Sequence, residues 1–131
     1  MRVVTHQIET AARSANIAVA SAAVVYTRSF RLGDADTFAF KYRAVSASST
    51  PDVLIQMEVG DSVPTTEGAA DTSWIVPAEH DNIEASLTTE LWKKLDFAPV
   101  TSKYGRLKIT GSGSNPADTI VNAVLSKQIS D

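Results

Sequence analysis

The feature that most constrains the fold of this chain is a two-residue alternation of side chains in its last third. Across residues 104–110, Leu107 and Ile109 share one face, while polar or charged side chains occupy the other. A second alternating run covers residues 119–125. This period is typical of half-buried β-strands. Residues 111–116, between the two runs, are Gly, Ser, Asn and Pro, which favour turns, so the sequence predicts a β-hairpin with a long tip.

Similar alternating runs recur through the rest of the chain. The clearest cover residues 37–45 and 53–59, and a further one covers residues 24–32. About seven or eight short strands spaced by turn residues predict an all-β fold, a single β-sandwich of jelly-roll or immunoglobulin-like type. The apolar positions of these runs predict the following core residues: Phe40, Tyr42, Ile55, Leu107 and Val121.

Residues 83–97 are compatible with two kinds of structure. Four apolar residues recur every four positions, as on one face of a helix: Ile83, Leu87, Leu91 and Leu95. The same residues also fit two short strands. Because β-branched residues are unfavourable in the middle of a helix, Thr88 and Thr89 favour the two strands.

Composition excludes several classes of protein. The chain has 131 residues, enough for one domain, and a 44% hydrophobic content that supports a core. A formal net charge of −3 argues against a general nucleic-acid surface, and no cysteine is present for a disulfide or a thiolate metal site. No apolar run reaches the ~18 residues of a membrane span. Residues 11–25 are rich in Ala and Val, but Arg13 and Asn16 interrupt them, which argues against a signal peptide.

Residues 1–23 differ in composition from the rest and predict an extended N-terminal arm, followed by a β-sandwich domain over residues 24–131. Small side chains bury little area alone, so we interpret the arm as an assembly element that orders against a partner. The alternative is that it adds an edge strand to its own domain. Outward apolar residues of the arm and of the last strand are the candidate partner-binding residues: Val3, Ile8, Ile17, Val19, Ile120 and Val124.

No group of residues predicts catalysis, a cofactor or a metal site. His80 lies between two acidic residues, but a tight metal site needs three or four converging ligands. Asp34 and Asp36 stand in a turn, which is the ordinary place for Asp. Residues 111–115 lack the Gly-x-Ser-x-Gly spacing of a nucleophile elbow. His6 has no evident partner. Because none of these groups forms a catalytic or metal-binding set, we predict that the protein is not an enzyme.

Aromatic residues and a long loop leave a second class of function open. Trp74, Trp92, Tyr42 and Tyr104 could together form a sugar-stacking platform, although aromatic residues at alternate strand positions are more often part of a core. Residues 60–73 form a long polar loop, and such loops are often functional.

The last third of the chain resembles small β-sandwich proteins encoded by tailed phages. Those proteins commonly end in an aromatic residue, an Arg, an alternating strand, Thr-Gly, a Gly/Ser loop with Asn-Pro, and a final strand of small and apolar residues. The matching residues here are Tyr104, Arg106, Leu107, Ile109, Thr110-Gly111, Asn115-Pro116, Asp118-Thr119, Val121, Ala123 and Leu125. Earlier segments are similar too: residues 29–32, the Phe-x-Phe-x-Tyr run at 38–42, and residues 52–56. Gly105 departs from that pattern and indicates a bulge or a close contact.

This resemblance implies a capsid decoration or cement protein on the virion surface, made in the host cytoplasm. It implies a homotrimer that binds the major capsid protein and stabilises the shell, without binding nucleic acid or membrane. A carbohydrate- or receptor-binding module of a phage tail is the alternative.

Overall fold

The computed structural model of the protein describes residues 2–78, 82–97 and 100–130, which form ten β-strands and no α-helix. The strands are β1 (Arg2–Gln7), β2 (Ile17–Ala18), β3 (Val24–Tyr26), β4 (Phe30–Arg31), β5 (Thr37–Val45), β6 (Val53–Gly60), β7 (Glu84–Leu87), β8 (Lys93–Phe97), β9 (Tyr104–Gly111) and β10 (Ile120–Ile129). They build two five-stranded antiparallel sheets. The predicted all-β sandwich is therefore confirmed.

The order of the strands defines the topology. Sheet A has the order β1-β10-β5-β8, with β2 also paired to β10. Sheet B has the order β3-β9-β6-β7, with β4 also paired to β9. If β2 and β4 are taken as short extensions of β1 and β3, eight main strands remain. Their arrangement in two sheets is that of a jelly roll, so the structure selects this alternative over the immunoglobulin-like one.

The core fills the space between the inner faces of the two sheets. All five predicted core residues are buried: Phe40, Tyr42, Ile55, Leu107 and Val121. Four phenylalanine rings form a connected group around Phe40, whose ring centroid lies 5.9 Å from that of Phe30 and 5.8 Å from those of Phe38 and Phe97. These edge-to-face contacts add to the burial of apolar area.

The prediction of two strands in residues 83–97 is confirmed, since β7 and β8 occupy this segment. Gly105 makes the close contact that the sequence indicated, and the ladder between β9 and β6 continues through it without a bulge. A Cβ atom at Gly105 would lie 2.8 Å from carbon atoms of both Phe30 and Leu32. A larger residue would therefore clash with two side chains of the core.

The predicted C-terminal hairpin is wrong, although both of its strands exist. β9 lies in sheet B and β10 lies in sheet A, so the loop between them crosses from one sheet to the other. Asn115 in this loop is buried, and its Nδ2 donates to the Val19 carbonyl oxygen at 2.9 Å. Its Oδ1 accepts hydrogen bonds from Asp52 N and Thr119 Oγ1, each at 3.0 Å. The loop is thus held to two distant segments of the chain, at Val19 and at Asp52.

Replacing Asn115 with alanine is expected to lower the free energy of unfolding by about 2 kcal/mol, because buried groups that lose a hydrogen-bond partner cost about 1–3 kcal/mol. Chemical denaturation followed by tryptophan fluorescence measures this loss. Ser114→Ala, at an exposed neighbouring position, is the control and should leave the midpoint unchanged. Superimposable curves for the two variants would contradict the role assigned to Asn115.

Most of the predicted N-terminal arm is part of the sandwich. β1 pairs with β10 along its whole length, and β2 pairs with β10 at Val121 and Ile120. Ile8, Ile17 and Val19 are buried in this chain's own core. Their proposed role as partner-binding residues is therefore corrected, because these side chains already pack within the domain. Edge pairing within the domain, the alternative to a free arm, is the arrangement found for residues 2–7.

Candidate functional site

The outer face of sheet A is the candidate functional surface. Residues opposite each other in an antiparallel ladder point to the same face, so the register of the four strands identifies the side chains that point away from the core. They are Val3, Thr5 and Gln7 of β1, Ile120, Asn122, Val124, Ser126 and Gln128 of β10, Thr37, Ala39, Lys41, Arg43 and Val45 of β5, and Lys94 and Asp96 of β8. This set is called the A face below.

Trp92, which directly precedes β8, lies at one end of the A face. Its side chain is 39% exposed, and two cations of β5 lie over its ring. The Lys41 Nζ atom is 4.9 Å from the ring centroid, and the Arg43 Cζ atom is 4.7 Å away. These distances are within the range of cation–π attraction. The exposed tryptophan is therefore held in place by the two charged side chains of the neighbouring strand.

Arg43 is held by a second contact. Its Nε donates to Asn122 Oδ1 at 3.3 Å, and Asn122 Nδ2 donates to the Ala15 carbonyl oxygen and to Asn16 Oδ1, each at 3.0 Å. The segment between β1 and β2 thereby fixes Asn122, which in turn orients the guanidinium. A side chain held in this way loses less conformational entropy when it binds a partner.

A cleft of about 420 Å³ opens at the other end of the A face. Its lining combines four apolar residues, two of them phenylalanines, with polar and charged ones: Val3, Thr37, Phe38, Ala39, Lys94, Asp96, Phe97, Ser126, Lys127 and Gln128. Lys94 lies next to Lys41 in the β5–β8 ladder. The cleft and the Trp92 end are therefore connected through this pair of lysines.

The charges of the A face are mostly positive. Lys41, Arg43 and Lys94 are its cations, and Asp96 is its one carboxylate. Asp96 Oδ1 lies 3.5 Å from Lys94 Nζ, but both side chains are largely exposed, so this ion pair contributes little to stability.

Tyr42, between Lys41 and Arg43 on β5, points to the opposite side from the A face and takes part in a separate polar contact. Its hydroxyl donates to Glu84 Oε2 at 3.2 Å, and Lys93 Nζ lies 2.8 Å from the same oxygen. Burial, followed by the neighbouring Glu84 carboxylate, raises the pKa of Tyr42 to about 12. The phenol is therefore neutral at physiological pH, and its role is structural. The predicted place of Tyr42 in the core is confirmed, and the residue is not available to a sugar-stacking platform.

The structure separates the candidate partner-binding residues into two groups. Val3 is 64% exposed, while Ile120 and Val124 are half-buried, and all three belong to the A face. Ile8 and Ile17, together with Val19, belong to the core, as described above. The tryptophans are separated too, because Trp74 is only 4% exposed whereas Trp92 is accessible.

The other candidate chemical groups have structural partners or are isolated. Asp34 Oδ1 accepts a hydrogen bond from Lys127 Nζ at 3.0 Å, and Asp36 accepts one from the Ser130 hydroxyl. Burial raises the pKa of Asp34, but the hydrogen bond and charge of Lys127, together with a backbone hydrogen bond and the charge of Arg31, lower it below its ordinary value. His6 lies on β1 with an exposed side chain. His80 lies outside the described residues.

Within the part of the chain that the structure describes, no three His, Cys, Asp or Glu side chains converge as a metal ion would require. None of the described segments is a helix of the length and hydropathy needed to cross a bilayer.

A buried arginine on the outer face of sheet B was missed by the sequence analysis. Arg106 has no exposed surface, and its guanidinium Cζ atom lies 4.3 Å from the ring centroid of Tyr26 and 5.0 Å from that of Trp74. Its Nε donates to Glu58 Oε1 at 2.9 Å, and its Nη1 donates to the Ala69 carbonyl oxygen at 2.7 Å. Arg106 thus fixes the loop of residues 61–74 over this half of sheet B.

The sequence contains little that would predict the buried pair of Arg106 and Glu58. Arg106 occupies the polar parity of its strand, as a solvated residue would. Glu58 is its direct partner in the β6–β9 register, and this register follows from tertiary structure. Trp74 packs on Gly60, where a Cβ atom would lie 2.6 Å from the indole ring.

In comparisons with known proteins, the chain matches solved structures only. No protein-family model matches the chain, and no curated protein sequence matches it. Among solved structures, the chain is similar to the catalytic domain of a GH87 α-1,3-glucanase in complex with nigerose, with 12% identity and a TM-score of 0.37. A second structure, of such a domain in complex with tetrasaccharides, has 14% identity and the same TM-score. Each match covers 100% of this chain and 29% of the other.

Proposed function

We propose that this protein is a structural virion protein of the capsid decoration type, and that it binds the major capsid protein through the A face. The choice of the A face as the binding surface rests on one observation. The A face combines the exposed Val3 and Trp92 with the half-buried Ile120 and Val124 on one rigid wall of the sandwich. Apolar side chains grouped on a sheet face are typical of a protein-binding surface.

The opposite wall differs in one respect, because a long loop packs over part of it. Loop 61–74 covers the part of sheet B around Arg106, and its Trp74 packs against Gly60. Sheet B is therefore partly covered by a segment of its own chain, although Val24 of β3 and Val63 of that loop are also exposed. A decoration protein needs a binding wall and no reaction centre, and the resemblance of the sequence to tailed-phage sandwich proteins favours this class.

Introducing a charge on the A face is expected to weaken attachment to the capsid. For Val3→Glu combined with Val124→Glu, we expect a loss of about tenfold or more in affinity, because an interface that buries an unpaired carboxylate is strongly penalised. Co-sedimentation of the purified protein with parent particles stripped of it measures the affinity. The matched control is Val24→Glu combined with Val63→Glu, at positions that are 48% and 57% exposed outside the A face.

An equal loss of affinity in both double variants would show that the net charge of the protein, and not the A face, determines binding. Wild-type affinity in both would exclude the A face as the binding surface. A micrograph of labelled particles distinguishes attachment to the shell from attachment to the tail. If wild-type protein binds neither, the proposed function is wrong.

A carbohydrate- or receptor-binding module of a phage tail is the second candidate. It is favoured by Trp92, which is 39% exposed and has over its ring the guanidinium of Arg43, itself a donor to Asn122. Sugar rings can stack on an exposed indole, and polar side chains beside it can provide hydrogen bonds to the sugar hydroxyls. Retention on immobilised glycans that is lost in Trp92→Ala, together with absence of capsid binding, would favour this candidate over the first.

A further inference from the structure

We infer that the A face recognises an acidic segment of its protein partner, with the segment's carboxylates bound by Lys41, Arg43 and Lys94. This inference rests on the proposed function, since it names the chemistry of the partner at the same surface. The net charge of the chain is −3, yet three of the four charged side chains of the A face are cations. The face is thus opposite in sign to the molecule and complementary to an acidic partner.

The pairing of Lys41 with Lys94 is the strongest sign of such a partner. These two residues are directly opposite in the β5–β8 ladder and point to the same face. Like charges in this position destabilise an antiparallel pair. Trp92 attracts Lys41 and Asp96 attracts Lys94, but both contacts lie at the solvent-exposed surface, where such interactions are weak. A carboxylate placed between the two ammonium groups would remove this repulsion.

Arg43 extends the same row of cations. One of its five N–H donors is occupied by Asn122, and the contact with Trp92 fixes the plane of the guanidinium. A fixed guanidinium with remaining donors suits a carboxylate, which it can bind through two parallel hydrogen bonds. The row of three cations therefore offers successive positions for the acidic side chains of one extended segment.

The surroundings of the row favour a protein segment over other anions. Val3 and the methyl group of Ala39 line the adjoining cleft of about 420 Å³, and Val124 lies beside Lys41 in the ladder. Apolar side chains that alternate with acidic ones can use both parts of this surface. A nucleic acid would need a more extended basic surface than three cations on an acidic protein. The Trp92 ring is engaged by two cations, which reduces its use as a platform for neutral sugars.

Poly-L-glutamate is the probe for this inference. We expect calorimetric titration at low salt to show binding to the wild-type protein, with an affinity that falls as salt approaches ~0.15 M. In Lys41→Glu combined with Lys94→Glu, the affinity should fall about tenfold or more, because close interfacial charge pairs account for effects of this size. Lys103→Glu combined with Lys108→Glu makes the same change in net charge on other parts of the surface, and it should leave the affinity within about twofold of wild type.

A stability measurement separates binding from a structural role. Because Lys41 and Lys94 repel each other in the free protein, Lys94→Gln should raise the melting temperature by about one or two degrees. The same variant should bind poly-L-glutamate more weakly. A variant that is less stable than wild type would show that Lys94 serves the fold, and it would overturn the inference.

The remaining outcomes distinguish this inference from the proposed function. Particle binding without any binding of poly-L-glutamate would overturn the acidic partner and leave the capsid assignment standing. Binding of poly-L-glutamate without particle binding would support the acidic partner and refute the capsid assignment. Equal affinity for duplex DNA would show a general polyanion surface, and self-association lost in the Lys41/Lys94 variant would identify a second copy as the partner. Either result would overturn the inference.

Discussion

Arg106→Ala is expected to lower the free energy of unfolding by about 3–5 kcal/mol, because it leaves Glu58 as an uncompensated buried charge. Glu58 is only 7% exposed, and Arg106 is its ion-pair partner at 2.9 Å. The substitution also removes the guanidinium between Tyr26 and Trp74 and the hydrogen bond that holds Ala69. Loop 61–74 should therefore lose its attachment to sheet B, together with part of the packing of Trp74.

Urea denaturation measures the loss of stability, and hydrogen exchange of the amides in residues 61–74 measures the release of the loop. Lys108→Ala is the matched control, since Lys108 is two residues further along the same strand and points to the same face. It should change stability by less than about 0.5 kcal/mol. The double variant Arg106→Met with Glu58→Met should recover much of the loss, because a buried ion pair can often be replaced by apolar side chains. Arg106→Ala with wild-type stability would refute the assigned role.

Phe40→Ala is expected to cost about 3–5 kcal/mol, as is usual for a buried phenylalanine that leaves a cavity. Phe40 has no exposed surface, and its ring contacts those of Phe30, Phe38 and Phe97. Since Phe30 lies in sheet B and the other two in sheet A, the ring contributes to the contact between the sheets. Both the melting temperature and the denaturation midpoint should fall.

Two further variants test whether this loss comes from the cavity. Phe40→Leu keeps most of the volume and should cost less than the alanine variant. Leu91→Ala removes a similar apolar side chain at a position that is 77% exposed, and it should have almost no effect. A Phe40→Ala protein with an unchanged melting temperature would contradict the assignment of this face of β5 to the core.

Local patterns were sufficient to predict the longer strands and the centre of the core. In the runs at 37–45 and 53–59, alternate side chains are apolar, and a strand with one buried face needs this period. Phe40, Ile55 and Leu107 could be assigned to the core for the same reason. Whether a segment forms a strand depends on its own residues and on an apolar layer to pack against. It does not depend on which strands provide that layer.

The last two strands were predicted to pair with each other because they are consecutive in the sequence, and this pairing is wrong. Residues 111–116 have the composition of a hairpin tip, but turn residues equally allow a loop that crosses between sheets. Asn115 decides in favour of the crossing loop through its contacts with Val19 and Asp52, which are far away in sequence. The same limitation applies to the predicted arm, because Ile17 is buried only once β10 is in place beside it.

The amino-acid sequence alone therefore determined the longer strands, their apolar buried faces and the absence of cysteine chemistry, because these depend on residue type and short-range period. Only the tertiary structure decided which strands pair, and with them the A face and the buried arginine. Lys41 and Lys94 are 53 positions apart in sequence, and they lie opposite each other on the A face only because β5 and β8 are neighbours. Arg106 and Glu58 likewise form a buried pair through the β6–β9 register, which long-range packing of the two sheets selects.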